Sequence, residues 1–575
     1  MSDILLAAVN ARFNHTNIAV RSISLYINKP ELVKFDEWTI NQPILEILRG
    51  IASYSPKIIM FSTYIWNIDI VVKLIRELPK IIPDCIVCAG GPEAGFRAEQ
   101  ILEQETSLDL IIAGEGEQTC KELTELYVSE KNKFNKSEFL NKASKIKGVY
   151  SKITSSDKSE ITFGGERCLI SDMSVLPFPY PQITDPDNRI YYYESSRGCP
   201  FSCAYCMSSL DTRVRFMPLE RVYADIQKFL DAKVKLVKFV DRTYNLDAER
   251  YIAIWKYIFS HHNNYTMFHF EIEAEFLSTE ALDFIQNIPS GIMQFEIGVQ
   301  TIHAKTLKAV HRSTDVEKIA ANVRKIPKTI HTHLDLIAGL PYEDIKNFGE
   351  SFDWVLALTP DALQLGFLKV LYGTSMEDYC KKNGWKWMCD APYEVLSTPF
   401  MSYDDIQFLK DVETLLDAFW NSHNFDFLMH YIQPKISIWN FFCSLVKYCR
   451  IKNVFSLPRT SSFWYELMHE YITCNEIISK EKIIMLELLR FDFISSGKKG
   501  NFPAWCNHNY DKEAHRKALE QYIDFKSTRT AYSFSEYDIF DINPTAPDKS
   551  EPGKKYAILF LYPESKSQTI RYIFL

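Results

Sequence analysis

A chain of 575 residues exceeds one ordinary domain and predicts three or four. Its 46% hydrophobic and 24% charged residues, with 20 Gly and 25 Pro, exclude disorder as the main state. A net charge of −8 has the wrong sign for a chain that follows a phosphate backbone, so nucleic acid is not an expected partner.

The N-terminus, MSDILLAAVNARFNH, lacks the basic segment and long apolar run of a signal peptide. No apolar stretch reaches the roughly 18 residues needed to span a bilayer, so the expectation is a cytoplasmic protein with no membrane association. In that reducing compartment the thirteen cysteines are not a disulfide framework, and Cys85, Cys88, Cys443 and Cys449, lying in apolar runs, read as core.

Apolar runs at 4–10, 57–66, 85–91 and 108–117 alternate with amphipathic segments and end in Gly, Ser or Asn. That pattern predicts a doubly wound parallel α/β sheet over residues 1–140, with ligand binding at the strand ends STYIWN, GGPEAG and GEGEQT. Residues 141–187, ending in the Pro-rich SDMSVLPFPYPQI, read as a linker. Six strand-like runs then follow at βα spacing, 189–198, 234–245, 268–277, 292–301, 332–341 and 361–370, and predict a partial (β/α)6 barrel over 188–385. Glu194, Asp241, Glu273, Gln300 and Asp335 close those runs and face the expected active rim. From 386 to 575 the aromatic-rich helical periodicity, as in 403–432 and 479–497, predicts a mainly helical domain, with a strand-like run at 556–562 and an exposed loop at 543–555.

Cys199, Cys203 and Cys206 in CPFSCAYC are spaced C-x3-C-x2-C, with no fourth Cys or His in the following thirty residues. Three thiolates leave a structural zinc site short of a ligand, whereas an iron–sulfur cluster held by three keeps one iron open for an exogenous ligand. The loop follows the first barrel strand, where a βα barrel keeps its chemistry.

With an aromatic before the last cysteine and a six-unit βα segment behind it, this motif resembles the radical S-adenosylmethionine (SAM) superfamily. The resemblance implies that Cys199, Cys203 and Cys206 ligate a [4Fe-4S] cluster and that SAM is reductively cleaved to a 5′-deoxyadenosyl radical. It places Tyr205 near the adenine and gives Asp241, Glu273, Gln300 and Arg312 as SAM contacts, with EIGVQT (296–301) looking like the family's Gly-Val-Gln strand. The N-terminal α/β domain and Pro-rich linker look like the cobalamin-binding class of the same superfamily. Cobalamin contacts are then expected from Asn10, Arg12, His15, Ser62, Thr63, Gly90, Gly91, Glu93, Gly114, Glu115 and Gly116. The usual cobalt-ligating signature D-x-H-x-x-G is not met, since Phe13 and Ile18 stand in its Asp and Gly positions, so His15 is not expected to bind cobalt.

What the resemblance implies is methylation of an unactivated position on a small-molecule or peptide substrate, with flavodoxin or ferredoxin as electron donor. A cobalamin-independent radical oxidoreductase or mutase, and a non-enzymatic iron–sulfur sensor or scaffold, are the alternatives.

Overall fold

The computed structural model describes residues 3–155, 158–475, 481–497, 500–522, 533–563 and 570–575. Residues 479 and 480 of the helical segment expected at 479–497 lie outside them. Two compact units divide the chain, one made of Met1–Ile345 with Gly366–Tyr403, the other of Lys346–Leu365 with Asp404–Leu575. The expected boundary at 386 thus falls within the first unit. Segment 366–403 stays there because Trp385 Nε1 donates to the Gly339 carbonyl (3.2 Å) and the Tyr393 hydroxyl to Glu93 (2.7 Å).

The first unit opens with a seven-stranded sheet: β1 (Ile4–Asn10), β2 (Val33–Thr39), β3 (Ile58–Ser62), β4 (Ile86–Gly90), β5 (Leu110–Ile112), β6 (Val149–Ser155) and β7 (Lys158–Phe163). Their order is β2-β1-β3-β4-β5-β6-β7, parallel through β5 and antiparallel beyond it. Side chains alternate between two cores, Leu5, Ala7, Val9, Ile59, Phe61 and Val87 on one face and Ile4, Leu6, Ala8, Ile58, Met60 and Ile86 on the other. Burial on both faces is why these strands read as continuous apolar runs. In the β2-β1-β3-β4-β5 order the switch point lies between β1 and β3, the place where such sheets bind ligands.

A second sheet follows from β8 (Ile190–Tyr193), with a two-residue pair β9 (Ser196–Arg197) and β10 (Arg215–Phe216) beside it. Its other strands are β11 (Leu236–Phe239), β12 (Met267–Ile272), β13 (Met293–Gln300), β14 (His331–Ala338) and β15 (Ala362–Phe367). The order β15-β14-β13-β12-β11-β8 follows the sequence without closing, which is the partial barrel expected. β13 and β14 alternate strictly between buried and half-buried residues. Phe295, Ile297, Leu334 and Leu336 are buried, while Glu296, Gly298, His333 and Asp335 share the half-buried lumen face.

The second unit carries helices Tyr403–Leu416, Asp426–Ile432, Ile438–Ile451, Ser461–Cys474, Lys482–Ser495 and Lys512–Tyr522, the first of which begins on the last residue of the first unit. An antiparallel sheet of β18 (Ser535–Phe540), β19 (Tyr556–Leu561) and β20 (Arg571–Phe574) ends it; β16 (Lys386–Trp387) and β17 (Val395–Ser397) form a pair in the first unit. Buried Arg490 binds helix to sheet through Asp538 (3.1 Å) and the Ile539 carbonyl (2.8 Å). No helix among the described residues is long and apolar enough to cross a membrane.

Candidate functional site

The β9–β10 pair, Arg197 against Arg215, pinches off the loop that carries the three cysteines. Inside it Cys199 N donates to the Asp211 carbonyl (2.9 Å), and Ala204 N donates to Val310 O (2.9 Å), so both ends of the motif are held by backbone. Cys199 and Cys203 are buried and Cys206 is partly open, with Cys199 Sγ 3.4 Å from Thr243 Oγ1. Burial pushes the Cys203 thiol up while the Arg312 guanidinium beside it pulls it back, the direction that favours a thiolate. Among the described residues no three His, Cys, Asp or Glu side chains converge on one metal ion.

Arg312 forms the next layer. It donates to Glu273 Oε2 (2.5 Å) and to the Gly298 carbonyl (2.7 Å), and its charge also reaches Tyr205, whose hydroxyl burial pushes well up. Burial lifts Glu273 to about 6 despite that arginine. Glu273 Oε1, Gln300 Oε1 and Asp335 Oδ1 are all buried acceptors with no hydrogen-bond partner. Buried oxygens of this kind are ordinarily paired, so three around one strand end, Asp335 being the register partner of Gly298, point to a donor-rich ligand. Asp241 is placed differently. Its carboxylate already accepts from Ser195 N (3.0 Å), Ser195 Oγ (2.6 Å) and Ser196 Oγ (2.5 Å), holding the turn after β8.

A cavity of about 690 Å³ lies against the strand ends of the N-terminal sheet. Of the residues expected there, Asn10, His15, Ser62, Gly90, Gly91, Gly114, Glu115 and Gly116 line it. Three do not, and each has a reason. Arg12 is exposed, Thr63 Oγ1 donates to Gly90 O (2.9 Å) and accepts from Ala94 N (3.0 Å), and Glu93 is taken by Tyr393 and Arg97. Gly91 (φ +103) approaches so closely that a Cβ would lie 2.6 Å from Thr63 O, whereas a Cβ on Gly114 (φ +77) would meet open space.

Sequence reasoning missed Asn17, Tyr64, Trp66, Tyr192, Arg197 and Arg242, which also line the cavity. Asn17 donates to Asn10 (3.4 Å) and Ser62 (3.3 Å) across the switch point, and Tyr64 stacks on Trp66 at 4.3 Å within the STYIWN end already singled out. Arg197 pairs with Glu115 (3.2 Å), Glu117 (2.6 Å) and Glu194 (2.8 Å), and Arg215 with Glu115 (2.8 Å) and Asp211 (2.6 Å). Glu115 is therefore a tie between the N-terminal domain and the cysteine loop as well as a wall of the cavity. His15 Nδ1 sits 2.9 Å from the Tyr192 hydroxyl, joining the cavity to β8.

Residues 193–355 match the family model "Radical SAM superfamily" and residues 4–124 match "B12 binding domain". The chain therefore carries a radical SAM domain behind a B12-binding domain. A third match lies at 381–542, "Protein of unknown function (DUF4080)". The chain is 28% identical over 177 residues to an uncharacterized methyltransferase of Pyrococcus horikoshii, covering 29% of this chain and 36% of that protein. It is 23% identical over 345 residues to the 2-(S-pantetheinyl)-carbapenam-3-carboxylate methyltransferase of Streptantibioticus cattleyicolor, covering 54% and 46%. The chain thus spans less than half the length of these curated relatives. The radical SAM fold is shared with the solved structure of the cobalamin-dependent S-adenosylmethionine radical enzyme OxsB with aqua-cobalamin bound (TM-score 0.56, 15% identity, covering 85% of this chain and 79% of that one).

Proposed function

We propose that the protein is a cobalamin-dependent radical SAM methyltransferase acting on a small substrate. The observation that carries the reading is the facing of two preformed compartments. The three-cysteine loop and the unpartnered acceptors Glu273, Gln300 and Asp335 share the barrel mouth, and the cavity at the N-terminal switch point includes Gly198, beside Cys199, and Arg197 of the same loop in its lining.

In this reading Cys199, Cys203 and Cys206 hold the [4Fe-4S] cluster. The three acceptors receive the hydroxyl and amine donors of SAM, and the Arg312 cation faces its carboxylate. Asn10, Asn17, Ser62, Gly91 and Gly114 cradle cobalamin. Once bound, these groups supply reductive SAM cleavage for hydrogen abstraction and a methyl group for transfer. The chain's own part is to orient them, and the ion pairs of half-buried Arg197 and buried Arg215 keep the cysteine loop fixed against the cavity wall. Electrons come from a flavodoxin- or ferredoxin-type donor in a cytoplasmic setting, in keeping with thirteen free thiols.

Anaerobic reconstitution with iron, sulfide and hydroxocobalamin, then dithionite and SAM, tests the reading. Bound corrinoid with formation of 5′-deoxyadenosine and S-adenosylhomocysteine supports it. Deoxyadenosine without retained corrinoid gives a cobalamin-independent radical enzyme instead, and a cluster that never turns SAM over gives a sensor or scaffold.

A further inference from the structure

Below the barrel mouth, the lumen face of the sheet is charged rather than apolar. Lys238 on β11 alternates with the buried Val237 and Phe239 and so points inward, in register with Tyr192 and His269. Glu271 on β12 points inward between Phe270 and Ile272, in register with Glu296. Most of this layer neutralises itself. His269 Nε2 meets Glu296 at 2.9 Å, His331 and His333 share a 2.9 Å contact, and burial drives His333 down to about 4, leaving it uncharged at neutral pH. Apart from Asp335, assigned above to SAM, two charges of this layer are left over. Among the described residues neither the Lys238 ammonium nor the Glu271 carboxylate has a hydrogen-bond or ion-pair partner, although each lies within the other's electrostatic reach.

Glu271 is half-buried, and desolvation lifts it to about 7 against the pull of Arg242 and Lys238 and with the push of Glu296 and Asp241. A desolvated charge without a partner is expensive, and the cheapest remedy is a ligand that brings the opposite one. The lumen is open to receive it, for the Glu296 side chain stays 28% exposed on an interior strand of the sheet. The cavity reaches Tyr192, Val240 and the exposed Arg242, and Val240 lies two residues, roughly 7 Å, beyond Lys238 on the same face of that segment. Lys238 also acts electrostatically on His15 of the cavity wall.

We infer that Glu271 and Lys238 are the two poles of a substrate-head site, which takes a small zwitterion of the α-amino-acid type, ammonium on Glu271 and carboxylate on Lys238. The inference rests on the enzymatic reading above and narrows its substrate. A wholly apolar substrate would cover both charges and satisfy neither.

The test is equilibrium dialysis of the reconstituted full-length protein, SAM present, against the common L-amino acids and their N-acetyl and carboxamide derivatives. We expect at least one free amino acid to bind and both derivatives to bind about tenfold or more weakly, the loss of one charged hydrogen bond each. Glu271→Gln removes the preference for the free amine alone, Lys238→Met the preference for the free carboxylate alone, and Lys238→Arg keeps it. SAM binding, measured in the same samples, stays at the wild-type level in all three and shows that they are folded. Binding of no amino acid overturns the inference. So does an equal effect of either variant on all ligands, or a parallel loss of SAM, which would make these residues SAM contacts. Corrinoid retention and deoxyadenosine formation without amino-acid binding leave the enzymatic reading standing. Amino-acid binding without SAM turnover does the reverse.

Discussion

Gly91 and Gly114 both line the cavity in left-handed backbone, yet a methyl group does different things at each, and the contrast tests what the cavity holds. A non-glycine residue in that conformation costs roughly 1–2 kcal/mol. At Gly114 nothing lies within 4 Å of the new Cβ, so that is the whole cost to the fold. The melting temperature of Gly114→Ala should fall by roughly 2–6 °C. The methyl group then occupies space meant for a ligand, and crowding a well-fitted contact costs a further 1–3 kcal/mol or so, about tenfold or more in affinity. At Gly91 the Cβ would sit 2.6 Å from Thr63 O and 3.2 Å from Thr63 N, so the clash is with backbone and the fold bears it as well. The assay is reconstitution with hydroxocobalamin, gel filtration, corrin absorbance per chain, and a melting curve. Gly114→Ala should lose most of its corrinoid while staying folded, and Gly91→Ala should lose corrinoid and stability together. Wild-type corrinoid content and affinity in Gly114→Ala would refute the assignment of the cavity to cobalamin.

Cys199→Ala removes one thiolate, and iron analysis with the visible spectrum should show loss of the cluster and of SAM cleavage while corrinoid content is unchanged. Glu273 titrates at about 6, and only its ionised form is an acceptor on both oxygens. SAM affinity should therefore be level above pH 7 and weaken as pH falls through about 6, an inflection that Glu273→Gln abolishes. The same raised value has the opposite sign for stability. A carboxyl lifted above its usual 4.5 favours the fold when protonated, so this contribution declines as pH rises from about 4.5 to 6. Arg197→Met leaves the buried Glu117 and the half-buried Glu194 with one partner fewer, and thermal unfolding should show a loss of roughly 3 kcal/mol.

The legible parts of this protein are those where one chemical demand dominates a short stretch. Strands buried on both faces must be apolar throughout, so β1, β3, β4 and β5 stand out, whereas β2, an edge strand burying chiefly Val33 and Trp38, carries VKFDEWT and does not. The C-terminal sheet escaped except at β19, because β18 mixes Glu536 and Asp538 with apolar residues and those carboxylates are legible only beside Arg490, 48 positions away from Asp538. Three thiolates on one loop announce themselves by spacing. Asp241 shows the limit of that kind of reading, since a carboxylate at a strand end looks the same in sequence whether it awaits a ligand or, as here, is filled by Ser195 and Ser196. Lys238 and Glu271 show the other side of it. Each occupies one position in an alternating strand, where a polar residue ordinarily means solvent, and only the barrel-like sheet as a whole turns that alternation into a half-buried pair of inward-facing charges. Strand alternation is local, but what lies on the other side of the strand is set by the whole topology.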